Sequence, residues 1–281
     1  MKRPELVVEG ATALVTGAAG GMGEHIARGL ARRGAHLVLL DVDRTGLTRV
    51  AGAIDRETSA AVSAHVVDLA DRAATDRTIA QIREAHPDLS MLFNNAGVAL
   101  GGRFTQVGAE DFDWLLEINL LAPIRLTRAL LPTLLAGGQG QVVNTSSLFG
   151  LVGPPGQSAY CTSKFGLRGF SESLRSELEQ EGSPVGVTVV HPGGIRTNIA
   201  ARARIAAGVD PREAEANRTA FAKMLRYPPE QAAEEIIEAA IARRPRLLVG
   251  NDAKGLDVLA RVTPARYWSL MGRAMALASR R

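Results

Sequence analysis

Short runs of β-branched residues and leucine alternate with longer amphipathic segments along most of this chain. Such alternation is typical of βαβ units, in which a parallel sheet is buried on both faces. Right-handed crossovers then place helices on both faces of the sheet and a ligand crevice at the carboxyl edge of its strands. The pattern therefore predicts the α/β fold class, with a doubly wound parallel sheet of seven strands. We expect strands near 13–16, 37–41, 64–68, 91–94, 142–145, 187–190 and 247–249, and helices near 22–33, 44–57, 72–85, 109–135, 158–180 and 229–242.

The composition is that of a folded globular protein. Of the 281 residues, 46% are hydrophobic and 22% are charged, which excludes a disordered chain, a collagen-like repeat and a disulfide scaffold. Cys161 is the only cysteine. Since a reducing compartment suits such a chain, we expect a cytoplasmic location. No apolar run reaches the roughly 20 residues of a membrane-spanning helix, so we expect one soluble domain over 1–281, with no leader at its N-terminus.

The charge is distributed unevenly. The net charge is +4, yet residues 243–281 hold nine Lys or Arg and only two Asp or Glu, which leaves −3 for residues 1–242. The bulk of the chain is therefore not a surface for nucleic acid. The segment 251–281 forms a basic, amphipathic extension. Three roles remain open for it, namely packing within the protein or an oligomer, covering the substrate entrance, and contact with an anionic membrane.

One long connection interrupts the alternation. Residues 193–227 lie between a predicted strand and a predicted helix, contain no predicted strand of their own, and are rich in Ala and Arg. Long connections of this kind in α/β proteins are usually lids or binding loops. We therefore interpret 193–227 as a substrate lid.

A glycine-rich turn follows the first predicted strand, with the spacing Gly-x3-Gly-x-Gly from Gly17 to Gly23. Small residues allow the backbone to approach a pyrophosphate, and the helix that follows presents free N–H groups. Asp41 ends the next strand, where a carboxylate binds both ribose hydroxyls of an adenosine and repels a 2′-phosphate. The sequence therefore favours NAD over NADP, although Arg44 lies close enough along the chain to pair with such a phosphate.

Tyr160 and Lys164 are four residues apart in a predicted helix, so they share one helical face. A nearby ammonium group would lower the pKa of the phenol and make it a proton donor or acceptor near neutral pH. Ser147 lies 13 residues before the tyrosine, at the carboxyl edge of a predicted strand, where ligands bind in such sheets.

Together these motifs resemble the short-chain dehydrogenase/reductase family, from the first strand to about Gly250. The matching residues are the turn Thr16 to Gly23, Asn94 to Gly97, Asn119, Ser147, Tyr160 with Lys164, and Pro192 with Gly193. The resemblance implies a Rossmann-type fold and a nicotinamide cofactor.

The resemblance also implies a role for each matching residue. Tyr160 would be the catalytic acid or base, Lys164 would bind the nicotinamide ribose, Ser147 would orient the substrate oxygen, and Asn119 would hold a water that links Lys164 to solvent. Ser147 is preferred to Ser146, which we expect to point into the sheet. The implied cofactor-binding residues are Gly17, Ala19, Gly20, Gly21, Met22, Gly23, Asp41, Asp68, Leu69, Asn95, Ala96, Gly97, Tyr160, Lys164, Pro192, Gly193, Ile195 and Thr197.

Apolar residues near the reacting centre predict a lipophilic secondary alcohol or ketone as substrate. We expect pocket walls from Val98, Leu100, Phe149, Val152, Pro155, Ile199 and Ile205, and direct substrate contact from Ser147, Phe149, Tyr160, Val98 and Ile199. Arg196, Arg202 and Arg204 in the lid leave an anionic substrate tail as an alternative.

The five histidines lack the spacing of metal ligands, so no metal is expected. The resemblance implies a homo-oligomer, a tetramer or dimer, formed through the helices near 113–135 and 158–180. The leading prediction is an NAD-dependent oxidoreductase. The alternatives are an NADP-dependent carbonyl reductase and a nucleotide-sensing protein without turnover.

Overall fold

A computed structural model describes residues 4–271 of the chain. Its main sheet has seven strands, all parallel, in the order β3-β2-β1-β4-β6-β7-β9. This order reverses direction between β1 and β4, which confirms the doubly wound Rossmann-type architecture predicted from the sequence. The strands are β1 (Thr12–Thr16), β2 (His36–Asp41), β3 (Val62–Val66), β4 (Leu89–Asn94), β6 (Gly140–Thr145), β7 (Val185–Pro192) and β9 (Arg246–Val249).

Helices cover both faces of the sheet and bury its apolar side chains in two separate layers. One layer packs α1 (Gly21–Ala31), α2 (Arg44–Glu57) and α8 (Pro229–Ile241) against the sheet, through apolar residues such as Ile26, Val50 and Ile236. The other layer packs α3 (Arg72–Ala85), α5 (Ala122–Ala136) and α6 (Ser158–Gln180), with Ile82 and Leu130 among its buried members. The remaining α-helices of the described residues are α4 (Ala109–Leu116), α7 (Pro211–Met224) and α9 (Asn251–Val262).

The third strand ends earlier than its sequence predicts. It was expected over 64–68, with Asp68 closing it, but β3 runs from Val62 to Val66. Among the described residues it pairs with β2 alone, and the final residue of β2, Asp41, pairs with Val66. Because an edge strand is defined by its one neighbour, β3 ends where β2 ends. Asp68 therefore lies in the following turn, where its side chain accepts a hydrogen bond from the amide of Ala70 at 2.9 Å.

The long helix predicted over 109–135 is interrupted by a π-helical turn at Glu117–Leu121, between α4 and α5. The amide of Ala122 donates to the carbonyl of Glu117, five residues earlier. By length and composition alone, the continuous helical run Ala109–Ala136 could span a membrane, since an 18-residue window within it has a mean hydropathy of 1.2. In the fold, however, it lies against the sheet and α6, with Leu126, Leu130 and Leu134 fully buried.

The lid contains secondary structure that the sequence pattern does not indicate. Two residues, Arg204–Ile205, form strand β8, which pairs in parallel with β5 at Leu100–Gly101. The lid continues into the solvent-exposed helix α7, which has no buried residue. The expectation of a lid without a strand is therefore wrong, and the reason is a long-range pairing that involves only two residues on each side.

Candidate active site

The glycine turn forms a backbone cradle at the carboxyl end of β1. Gly17 has a φ of 68°, a conformation that glycine adopts without strain. A Cβ on Gly23 would overlap the carbonyl oxygen of Gly17, so the start of α1 lies directly against the turn. No side chain caps the N-terminus of α1 at Gly20. Its first N–H groups therefore remain available for an anion such as a pyrophosphate.

The carboxylate of Asp41 lies beside this turn. It accepts hydrogen bonds from the amide of Ala19 at 3.0 Å and from the amide of Asp43 at 3.0 Å. Asp43 also borders the cleft, where a hydrogen bond from the Gly46 amide lowers the pKa of its carboxyl group. Arg44 is exposed and is absent from the lining of the cleft among the described residues. Asp41, Asp43 and Arg202, which lies 3.6 Å from Asp43, therefore border this part of the cleft, and Arg44 does not.

The segment after β4 is fixed to β1 through Thr16. The hydroxyl of Thr16 accepts hydrogen bonds from the amides of Asn95 and Ala96, both at 3.0 Å, and the Asn95 side chain donates to the carbonyl of Thr16 at 3.1 Å. Asn95, Ala96 and Gly97 all border the cleft beside the glycine turn. Asp68 and Leu69 border it as well, despite the earlier end of β3.

Tyr160 and Ser147 face each other across the same cleft. Tyr160 lies in the first turn of α6, and its ring meets that of Phe149 edge-on, with centroids 6.2 Å apart. Ser147 follows β6 and caps a short 3₁₀ turn, where its hydroxyl accepts a hydrogen bond from the amide of Phe149 at 3.1 Å. The Ser147 hydroxyl lies close enough to the phenol of Tyr160 to lower its pKa. The structure thus brings together the two hydroxyl groups that the sequence singled out.

Lys164 lies one helical turn below Tyr160, but it does not have the expected effect on the phenol. Its Nζ atom donates to the carbonyl of Thr145 at 2.9 Å and lies 5.7 Å from the centroid of the Tyr160 ring. Burial raises the pKa of Tyr160 to about 12, although the nearby Ser147 hydroxyl partly opposes this shift. Burial also lowers the pKa of Lys164 to about 8. The expected lowering of the tyrosine pKa is therefore wrong for this state of the protein, because desolvation of the phenol is the largest influence on its pKa.

Asn119 lies in the π-helical turn and is fully buried. Its side-chain oxygen accepts from the amide of Val98 at 2.8 Å, and its nitrogen donates to the carbonyl of Val98 at 2.9 Å. Both ends of the amide are thus used to fix the loop after β4. The side-chain nitrogen also donates to the hydroxyl of Ser163 at 3.4 Å, so the second lone pair of the side-chain oxygen is what the side chain still offers to a water.

Ser146 and His191 form hydrogen bonds with the backbone of Lys164 and Ser147. The hydroxyl of Ser146 donates to the carbonyl of Lys164 at 2.8 Å, so it points at α6 rather than into the sheet. His191 is fully buried, and its Nδ1 atom lies 3.0 Å from the carbonyl oxygen of Ser147. Burial lowers the pKa of His191 to about 4, so the ring is neutral at pH 7 and Nδ1 donates the bond. The sequence contains no signal for this contact, because His191 and Ser147 are 44 residues apart and no periodicity connects them.

The start of the lid crosses over the glycine turn. Pro192, Gly193, Ile195 and Thr197 all border the cleft. A Cβ on Gly21 would lie 3.2 Å from the methyl group of Thr197, which shows how closely the lid approaches the turn. The start of the lid therefore forms one wall of the cleft beside the glycine turn.

One cleft with a volume of about 1050 Å³, at the upper end of the roughly 300–1,000 Å³ of small-molecule sites, is lined by the glycine turn, Asp41, the segment after β4, Ser147, Tyr160, Lys164 and the start of the lid. Gly23, Asn119 and His191 are not among its lining residues. Of the predicted pocket walls, Val98, Phe149 and Ile199 line it. Leu100, Val152, Pro155 and Ile205 are not among its lining residues, so those four assignments are wrong. Leu100 and Val152 are instead buried in apolar clusters, Ile205 pairs with β5, and Pro155 is exposed while Pro154 lines the cleft.

The cleft has further apolar lining residues that the sequence did not indicate. They come from three regions: the core beside Tyr160, the end of the lid, and the C-terminal extension. These residues are Ala99, Ile118, Leu148, Phe221, Met224, Leu225, Leu256, Trp268 and Met271. Within residues 4–271, no group of three or more His, Cys, Asp or Glu side chains is arranged to hold a metal ion.

Comparison with known proteins places the chain among dehydrogenases. The sequence profile of a protein family described as short chain dehydrogenase matches residues 11–207. SadH of Mycobacterium tuberculosis is 36% identical over 277 residues, which cover 95% of this chain and 96% of SadH.

Solved structures are similar over nearly the whole chain. A short chain dehydrogenase/reductase from Burkholderia phymatum, in complex with NAD, superposes with a TM-score of 0.84 at 27% identity, covering 92% of this chain and 95% of its own. A short-chain dehydrogenase from Sphingobium yanoikuyae, in complex with NADPH, has a TM-score of 0.74 at 29% identity, covering 96% and 95% of the two chains. These similarities support a nicotinamide dinucleotide as cofactor and leave the choice between NAD and NADP to the residues of this chain.

Proposed function

Because this chain belongs to the short-chain dehydrogenase/reductase family, we propose that it interconverts a lipophilic secondary alcohol and its ketone with NAD(H), using Tyr160 as the acid or base. The observation that carries the proposal is the meeting of the Tyr160 and Ser147 hydroxyls in a cleft that also contains an uncapped glycine-rich helix start. A sensor that only binds the nucleotide has no need for a buried phenol in this position.

The cleft fits a dinucleotide on structural grounds. The backbone at Gly17 and Gly23 leaves no space for a side chain, and the N–H groups at the start of α1 remain uncapped. A bound nicotinamide supplies the acceptor or donor for the hydrogen and electron pair of the carbinol carbon. The residues of the chain have to position that carbon and to donate or accept the proton on its oxygen.

In the reduction of a ketone, the phenol of Tyr160 donates its proton to the substrate oxygen. Ser147 donates a hydrogen bond to the same oxygen and so orients the carbonyl group. In the oxidation of an alcohol, the phenolate of Tyr160 accepts the hydroxyl proton, while the C–H bond breaks and the C=O bond forms. Lys164 lines the same cleft, and we propose that its ammonium group binds the nicotinamide ribose.

Asp41 and Asp43 favour NAD over NADP. A 2′-phosphate on the adenosine ribose would carry negative charge towards these carboxylates, and like charges at close range repel. Arg49 borders the cleft, but its guanidinium group is engaged by Glu24 at 2.6 and 2.7 Å and by the carbonyl of Ala19 at 2.9 Å. An NADP-dependent carbonyl reductase is the alternative, in which Arg49 would have to leave Glu24.

The reaction is tested directly by a screen of secondary alcohols with NAD and with NADP, following the absorbance of the reduced nicotinamide. We expect turnover with NAD and a preference for apolar alcohols over sugars and hydroxy acids. Turnover with NADP but not with NAD would show that the proposed preference for NAD is wrong and would favour the NADP-dependent carbonyl reductase. Binding of NAD without turnover of any alcohol or ketone would instead favour a nucleotide sensor.

We also propose a cytoplasmic homo-oligomer, either a dimer or a tetramer, formed through α5 and α6. Phe165 on α6 and Leu135 on α5 are 41% and 38% exposed, which leaves apolar surface for a second copy. Leu167 cannot contribute, because it is already buried within the chain. Sedimentation of Phe165→Glu beside the parent protein tests this interface.

A further inference from the structure

The C-terminal extension is fixed to the substrate side of the cleft by polar contacts at both of its described ends. At the start of α9, the carboxylate of Asp252 accepts a hydrogen bond from the amide of Gly194 at 2.7 Å. Fifteen residues later, the hydroxyl of Tyr267 accepts a hydrogen bond from the amide of Gly153 at 2.9 Å. Gly153 lies in the loop between Ser147 and Tyr160, so the extension contacts the segment that connects the two hydroxyl groups of the site.

A third contact lies between these two ends. The guanidinium group of Arg246 donates to both carboxylate oxygens of Asp257, at 2.6 and 3.1 Å, and Arg261 donates to the same carboxylate at 3.1 Å. The hydrogen bonds from Arg246, followed by those from Arg261, hold the pKa of Asp257 below its ordinary value. A bidentate pair of this kind fixes orientation as well as position. From Asp252 to Tyr267 the extension is therefore held against the rest of the protein by polar contacts.

Three apolar side chains of the docked extension face the cleft: Leu256, Trp268 and Met271. We call them the C-terminal wall. Leu256 packs against the apolar cluster that contains Phe149, whose ring meets that of Tyr160 edge-on. The C-terminal wall therefore lies at the substrate end of the cleft and not at the adenosine end, where Asp41 lies.

The end of the lid supplies more apolar lining in the same cleft, from Phe221, Met224 and Leu225. Met224 is 56% exposed, and α7 has no buried residue, so this part of the lid has little apolar contact within the chain. An apolar ligand bound between these side chains and the C-terminal wall would remove both surfaces from water.

Within residues 4–271, no cation at this end of the cleft lacks a partner and so remains to bind an anionic substrate. The described cations that line the cleft are Arg49, Lys164 and Arg202. Arg49 pairs with Glu24, Lys164 donates to a carbonyl, and Arg202 lies 3.6 Å from Asp43 at the adenosine end. Arg204, which the sequence offered for an anionic tail, stacks on Trp114 and pairs with Asp111 at 3.2 Å.

We propose that the C-terminal wall determines substrate specificity, by binding an extended apolar substituent of the carbinol carbon. The proposal rests on the proposed function, and it names the part of the substrate that the extension recognises. The substrates it fits are secondary alcohols and ketones whose apolar chain or ring system continues from the reacting carbon towards Trp268. Short alcohols would fill the site beside Tyr160 without reaching the wall.

The test is a series of 2-alkanols from 2-butanol to 2-dodecanol, with kcat/KM measured at saturating NAD. For the parent protein we expect kcat/KM to rise about fourfold for each methylene that becomes buried. In Trp268→Ala we expect the longest alcohols to lose about tenfold or more, with 2-butanol changed less than about twofold. The control is Leu270→Ala, because Leu270 lies in the same helical turn but is 40% exposed and outside the cleft. Equal losses for short and long alcohols in Trp268→Ala, or equal effects of the two variants, would overturn the proposal.

A second variant leaves the three side chains of the C-terminal wall unchanged and removes the hydrogen bond between Tyr267 and Gly153. Tyr267→Phe deletes only the hydroxyl that accepts the Gly153 amide, so we expect KM to rise for long alcohols with kcat for 2-butanol retained. An unchanged KM for 2-dodecanol in both Tyr267→Phe and Trp268→Ala would contradict the inference.

A measurement of ketone binding tests the C-terminal wall independently of the proposed reaction. If no alcohol is oxidised, the proposed function fails, while the wall is still tested by the thermal shift that 2-decanone produces in the presence of NAD. A shift that exceeds that of 2-butanone in the parent and is lost in Trp268→Ala supports an apolar subsite at the wall. The same shift in the parent and in Trp268→Ala overturns it.

Discussion

The ammonium group of Lys164 lies 5.7 Å from the ring centroid of Tyr160, yet it donates its described hydrogen bond to the carbonyl of Thr145. The two side chains are thus on one helical face, but the cation contacts the backbone at the end of β6. Burial determines their titration, raising the pKa of the phenol to about 12 and lowering that of the ammonium group to about 8. A protonated phenol is the form that donates to a ketone.

This relationship predicts opposite pH dependences for the two directions of the reaction. Reduction needs the phenol, which is protonated throughout the neutral range, so we expect its rate to be flat from pH 6 to 8. Oxidation needs the phenolate, so we expect kcat/KM to rise by up to about tenfold per pH unit on the alkaline side. Initial rates with NADH and with NAD over pH 6–10 check both expectations. An oxidation rate that falls as the pH rises would contradict the assigned role of Tyr160.

Removal of the Tyr160 hydroxyl should stop turnover and leave cofactor binding intact. For Tyr160→Phe we expect kcat to fall by about 10²–10⁴-fold, the usual contribution of a positioned acid or base. Titration of NADH fluorescence should give a dissociation constant within about threefold of the parent value. The matched control is Thr162→Ala in the same helical turn, where the hydroxyl is exposed and donates only to the carbonyl of Ser158 at 2.8 Å. Near-native rates in Tyr160→Phe would refute the assignment.

The charge on Asp41 should determine the choice of cofactor. In Asp41→Asn the amide oxygen can still accept from the Ala19 amide, while the repulsion of a 2′-phosphate is reduced. We expect the ratio of NADP to NAD affinity to rise about tenfold, equivalent to about 1.4 kcal/mol. Isothermal titration with each cofactor measures this ratio. Asp55→Asn, on the exposed surface of α2, should leave it unchanged. An identical ratio for parent and Asp41→Asn would remove the argument for NAD.

The buried His191 should make the protein less stable in mild acid. Its pKa is about 4 in the folded protein, compared with about 6.5 when unfolded, so the unfolded chain takes up a proton first as the pH falls. The contribution of neutral His191 to the free energy of unfolding is therefore largest above pH 6.5, and it is lost as the pH falls from 6.5 towards 4. Between pH 7.5 and 5 we expect the free energy of unfolding to fall by about 2 kcal/mol from this residue.

Urea unfolding of the parent protein and of His191→Asn at the two pH values isolates this effect. Asn retains a donor for the Ser147 carbonyl but does not titrate, so the variant should lose about 2 kcal/mol less than the parent over the same interval. The pKa of His65 is also lowered by burial, but that residue is present in both proteins and its effect cancels. Equal losses in the two proteins would show that His191 does not carry the effect.

The parts of the fold that follow from local pattern were predictable. The alternation of strands and helices predicted all seven strands of the main sheet, and four-residue spacing placed Tyr160 and Lys164 on one face. The early end of β3 was not predictable, because it depends on where β2 ends and not on the sequence of β3. The pKa of Tyr160 was also not predictable, since its direction depends on how deeply the phenol is buried.

The position of the C-terminal wall beside the cleft could not be predicted from the sequence. Tyr267 and the Gly153 amide are 114 residues apart, and no periodicity connects them. An amphipathic basic segment was therefore compatible with three roles, and its packing beside Phe149 emerges only from the folded chain. The remainder of the extension, 272–281, lies outside the described residues, including the end of the amphipathic stretch 256–278.

The π-helical turn at Glu117–Leu121 has a consequence for how this protein can vary. The turn contains one residue more than an α-helix would, so the helical faces before and after it are out of phase by about 100°. Deleting a single codon there would restore a regular helix, but it would also rotate Asn119 away from Val98 and separate Glu117 from Arg72 and Arg125. Natural variation in this turn should therefore proceed by exchange of side chains at constant length, and insertions or deletions should be confined to the loops around it.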